Sequence, residues 1–117
     1  MEIADLFRAD KSGGSVSRHA VIIYFQYGHE ELDPLHELES RLRILLYHNN
    51  VGELDGHEIA MDSTDGYLYL YGNNAEELFK AIRPTLLETP FMRKAAVYLR
   101  FGAVDDKQAK EIDFILE

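Results

Sequence analysis

Hydrophobic and polar positions alternate most strictly in Gly66-Tyr67-Leu68-Tyr69-Leu70-Tyr71-Gly72, where leucines and tyrosines take turns. A period of two places successive side chains on opposite faces of a strand, so this segment is read as a strand with a leucine face and a tyrosine face. His19 to Tyr27, rich in β-branched and aromatic residues and ended by Gly28, predicts an earlier strand. Between them the period changes. Leu35, Leu38, Leu42 and Leu45 recur at helical spacing after Asp33-Pro34, read as N-cap and first helical residue, and the helix runs to Asn49-Asn50. A further strand is expected over His57 to Asp62, joined through Ser63-Thr64-Asp65-Gly66 to the tyrosine strand as a hairpin.

The second half repeats the plan. Asn74-Ala75-Glu76-Glu77 has the form of a capping box, and Leu78, Phe79 and Ile82 make the buried stripe of the helix it opens. Pro84 is expected to kink that helix or end its first part, with Leu86 continuing the apolar face and Thr89-Pro90 closing it. Lys94 to Gly102 predicts a strand, and Ile112, Phe114 and Leu116 alternate as a short fifth strand. Ile3, Leu6 and Phe7 fit one helical turn, but Lys11-Ser12-Gly13-Gly14-Ser15 has linker composition, so residues 1–15 are expected to be a flexible tail and 16–117 one domain.

The order βαββαβ with a trailing strand predicts an α+β ferredoxin-like fold: an antiparallel sheet with two helices on one face. The covered face takes Val21, Ile23, Phe25, Leu68, Leu70, Val97, Leu99 and Phe101, all apolar. The open face takes Ile22, Tyr24 and Gln26, then Tyr67, Tyr69 and Tyr71, then Ala96, Tyr98 and Arg100, with Glu58 and Asp62 beside them. It is expected to be aromatic in the middle, acidic at one edge and basic at the other. An exposed aromatic patch with arginine is a recognition surface, so these tyrosines, Arg100, Glu58 and Asp62 are candidate partner-binding residues. The competing reading buries them under the tail, the fifth strand or a second subunit.

Charge narrows the partner. The chain has 117 residues, a formal net charge of −9 and no cysteine, which excludes disulfides, thiolate metal sites and a cysteine nucleophile. Ten acids against two arginines lie between Gly28 and Asp65, with Glu30, Glu31, Glu37 and Glu39 as the candidate steering residues. Such a lobe attracts basic proteins and repels phosphate backbones. Aromatics on a βαββαβ sheet are also how RNA-recognition motifs stack bases, but Asp65 stands where a basic residue is required and Leu68 where a small one is, so no nucleic-acid partner is assigned. The five histidines, His19, His29, His36, His48 and His57, include no i, i+4 pair on a helix and are read as scattered surface residues. No metal or cofactor is assigned. Neither a P-loop, a dinucleotide fingerprint nor a Gly-x-Ser-x-Gly elbow occurs, so no enzyme is expected. No apolar run approaches a membrane span and no signal segment is seen, which makes a cytoplasmic protein the expectation.

The run Tyr71-Gly72-Asn73-Asn74-Ala75-Glu76-Glu77-Leu78-Phe79, with Pro84, Thr89-Pro90 and Arg100-Phe101-Gly102, resembles the C-terminal half of small bacterial ferredoxin-like proteins. Related small acidic α+β proteins serve as immunity partners of secreted toxins. The resemblance thus implies an acidic binding module, an immunity-type inhibitor that neutralises a basic toxin by direct contact. The alternative is a small-molecule binding domain or enzyme that works as a homodimer across the open sheet face, with Tyr98, Arg100, Glu58 and Asp62 lining its pocket.

Overall fold

A computed structural model describes residues 18–117; the expected tail, residues 1–15, lies outside them. The elements are β1 (His19–Gln26), α1 (Asp33–Asn49), β2 (Glu53–Ile59), β3 (Asp65–Gly72), α2 (Ala75–Leu87), a 3-10 turn (Pro90–Met92), β4 (Ala96–Arg100) and β5 (Glu111–Ile115). Their sheet has the order β2-β3-β1-β4-β5, with every pairing antiparallel. This is the ferredoxin-like α+β fold with an extra C-terminal strand. That strand extends the sheet beyond β4, pairing Tyr98 with Asp113 and Arg100 with Glu111.

The covered face is as the alternation predicts. Val21, Ile23, Phe25, Leu68, Leu70, Val97 and Leu99 are buried in one cluster with the helices, and Phe101 packs at its margin. Helix α1 contributes Leu35, Leu38, Leu42 and Leu46, and α2 contributes Leu78, Phe79, Ile82 and Leu86. Asn74 caps α2 through its side chain, accepting from the backbone N–H of Glu77 at 3.1 Å. His19 adds a second cap, its Nδ1 accepting from the Ala75 N–H at 3.1 Å. Pro84 lies inside α2 without ending it, and Leu86 remains fully buried beyond it.

Three boundaries differ from the sequence reading. Helix α1 starts at Asp33, so Leu32 is its N-cap and gives no side-chain bond, while Asp33 supplies an acid to the first turn, where the helix dipole favours it. Strand β4 is shorter than Lys94 to Gly102, because Lys94 turns the chain with φ 60°. Strand β2 begins four residues before His57 and ends at Ile59, leaving Asp62 in the turn to β3 rather than on the sheet. The physical reason is a bulge: Leu54 pairs with Leu70 and Gly56 with Tyr69, so the register shifts at Asp55. The extra residue breaks the period-two pattern that the sequence reading relies on.

Candidate functional site

The bulge decides two positions at once. Downstream of it His57 pairs with Leu68 on the helix-covered side, and Glu58 pairs with Tyr67 on the open side. From there Glu58 Oε1 accepts the hydroxyl of Tyr69 at 2.8 Å. Burial, reinforced by this carboxylate, pushes the Tyr69 phenol well above its ordinary value.

The open face divides into a buried and an accessible part. Ala20, Ile22, Tyr69 and Tyr71 form a second small core, with Tyr67, Tyr98 and Val104 packed against it. Tyr69 is 7% exposed and Tyr71 3%, so these two tyrosines are packing residues rather than docking groups. Arg100, expected as the basic edge, is 3% exposed and spends its donors on the backbone: Nε to the Gly102 carbonyl at 2.6 Å and Nη2 to the Arg18 carbonyl at 2.9 Å. Burial draws its guanidinium down from the usual value. Arg100 therefore does not supply the exposed basic edge that was expected. Strand β5 lies outside β4 and presents Glu111 and Asp113 beside Arg100 and Tyr98, so carboxylates flank the face on both sides, with Glu58 at the β2 edge and Glu53 there paired with Arg18 at 2.5 Å.

What stays accessible among the described residues is a groove of about 370 Å³ floored by Ile22 and Ala96 and walled by Tyr24, Tyr67, Tyr98 and Ile115, with Asp113 at its margin. Tyr24 and Tyr67 meet across the strands with centroids 5.1 Å apart, and Tyr67 stacks on Tyr69 at 6.0 Å. Tyr24 donates to Asp65 Oδ2 at 2.5 Å, which raises its phenol pKa. Burial and the nearby Glu111 push the Tyr98 phenol up to about 12. Both hydroxyls are protonated at neutral pH. Among the described residues no lysine or arginine lines the groove.

The acidic lobe is also reassigned in part. Glu30, Glu31 and Glu37 are exposed, as a steering surface requires. Glu39 is not: it is 7% exposed, and its Oε2 lies 2.9 Å from Nδ1 of His57. Asp62 is exposed and accepts from the backbone N–H and hydroxyl of Thr64, which lowers its pKa and fixes the hairpin turn. The histidines are not all scattered either. His36 and His57 come together with Glu39, their ligating atoms within 4.8 Å of one another. The legible signal was His36-x-x-Glu39, two ligand types three residues apart on one helix face; the partner His57 was hidden by the bulge.

No family model, curated protein or solved structure matches the chain, so geometry alone carries the functional reading. Among the described residues no helix is long and apolar enough to cross a membrane.

Proposed function

We propose that the chain is an acidic binding module that receives cationic side chains of a basic protein in the Tyr24, Tyr67 and Tyr98 groove, as an immunity-type inhibitor of a basic toxin would. One observation carries this reading: an aromatic groove flanked by carboxylates on both sheet edges and lined, among the described residues, by no lysine or arginine. Tyrosine faces attract guanidinium and ammonium groups, and the flanking acids supply the counter-charge. The same acids oppose a phosphate backbone, which argues against base stacking by these tyrosines. Exposed Glu30, Glu31 and Glu37 add long-range attraction that speeds encounter. The cysteine-free chain requires no oxidising compartment, and the reading places the encounter in the cytoplasm.

A second reading is favoured by the size of the groove. Its 370 Å³ falls within the roughly 300 to 1,000 Å³ of small-molecule sites. A short arginine-rich peptide and a glutamate-rich peptide of equal length, titrated into the isotopically labelled chain at two ionic strengths, test the first reading. The arginine peptide is expected to shift amide resonances of Tyr24, Tyr67, Ala96 and Tyr98, less so at high salt, and Asp113→Lys is expected to weaken it several-fold. Shifts confined to the Glu30, Glu31 and Glu37 lobe, or equal response to both peptides, would remove the groove as the site.

A further inference from the structure

Helix α1 and strand β2 bring three metal-ligating side chains to one point. His36 and Glu39 stand three residues apart and so share a helix face, and the bulge at Asp55 turns His57 toward that face. The ligating atoms of the three side chains all lie within 4.8 Å of one another. Glu39 Oε2 and His57 Nδ1 are already 2.9 Å apart. Donors at the edges of a tetrahedron around zinc are about 3.3 Å apart, given metal–ligand bonds of about 2.0 to 2.1 Å. The exposed His36 ring, 6.0 Å from that of His57, needs only a side-chain adjustment to close the set.

We propose that His36, Glu39 and His57 form a mononuclear site for zinc or a similar divalent transition metal, with an open fourth position. Two observations bear on this beyond the presence of ligand-type residues. The carboxylate is 7% exposed, an uncommon place for a glutamate, and its partner is an imidazole rather than lysine or arginine. The Glu39–His57 contact alone accounts for those two side chains and leaves the convergence of His36 without a role. The donor set is also chemically selective: two imidazoles and one carboxylate suit zinc or cobalt, whereas calcium and magnesium favour all-oxygen sites.

The burial gradient fits a bound ion that is held firmly yet loaded from solvent. Glu39 is enclosed, His57 is half-buried and His36 is at the surface. Three protein ligands leave one position for water or an exogenous donor, the arrangement of zinc sites that bind or activate small molecules. His57 also lines a groove of about 580 Å³ with Leu32, Glu58, Asp65 and Tyr67, so a ligand of the metal would border that groove.

Cobalt(II) is the probe for the full, untagged, metal-free chain, followed by its visible absorption and by displacement with zinc. One equivalent is expected to bind with the spectrum of a four- or five-coordinate nitrogen and oxygen site. His36→Ala is expected to weaken binding at least about ten-fold, the lower end of what even an outer-shell partner of a metal ligand contributes. His48→Ala, an exposed histidine at the far end of α1, is expected to leave it unchanged, and millimolar magnesium is expected not to displace the cobalt. Because His36 is exposed, its alanine variant is expected to fold, which circular dichroism checks. Should that variant fail, zinc-induced shifts of the His36 and His57 ring resonances in the parent chain report the same site. Equal affinity in the parent and His36→Ala chains, rings that do not respond to zinc, or no binding up to 100 µM metal would overturn the proposal.

Discussion

Tyr69 on β3 donates its hydroxyl to Glu58 on β2 at 2.8 Å, which ties the buried part of the open face to the sheet's edge strand. The bond makes Tyr69 a stability residue whose ring and hydroxyl contribute separately. Tyr69→Phe keeps the ring and is expected to cost about 1.5 to 3 kcal/mol, as for a hydrogen bond to a charged group. Leu70→Ala, on the other face, opens a cavity in the main core and is expected to cost about 2 to 5 kcal/mol. Urea unfolding measures both. A Tyr69→Phe variant as stable as the parent would mean that Glu58 is an incidental neighbour.

Alkaline stability follows from the phenols. The pKa of Tyr98 is raised to about 12, and that of Tyr69 is raised further in the same direction, so the unfolded chain releases these protons first as pH climbs past about 10. Stability is therefore fully present below pH 10 and is lost as pH rises toward 12. Tyr98→Phe is expected to flatten that decline. Denaturation midpoints from pH 8 to 11.5, with tyrosinate absorbance recorded alongside, supply the comparison. Parent and variant curves that fall in parallel would count against the assignment.

The junction between α1 and the sheet tolerates no side chain at Gly72. A Cβ there would stand 2.4 Å from the carbonyl oxygen of Val51, a backbone atom that cannot swing aside. Gly72→Ala is expected to destabilise the fold by about 1 to 3 kcal/mol, the usual range for overpacking. Because Gly72 pairs with His19 at the start of β1, amide exchange is expected to quicken at that end of the sheet first. A variant with the parent's midpoint would show that Val51 and its loop yield freely.

Local pattern and long-range contact divide the fold between them. Alternation over Tyr67 to Tyr71 and over Val21 to Phe25 determined which side chains enter the main core, because a strand's period is a property of its own backbone. The leucine spacing of α1 and the Asn74 cap of α2 were equally local, and both helices lie where those residues imply. The start of β2 was not legible, since an inserted residue matters only against a partner strand that fixes the register.

The site was legible in its residue types and not in their exposure. Nothing in the spacing of Tyr67, Tyr69 and Tyr71 distinguishes the half-exposed first from the buried other two; their neighbours across β1 and β4 do that. Arg100 reads as a surface cation until the carbonyls of Arg18 and Gly102 take up its donors. Glu39 reads as one acid among many until His57 arrives from 18 residues away. By itself, then, the sequence determined the elements, the apolar face and the excess of acid. Only the tertiary structure decided which tyrosines are accessible, that both sheet edges are acidic and that two histidines meet a buried glutamate, because each depends on chain segments brought together by strand pairing and helix packing.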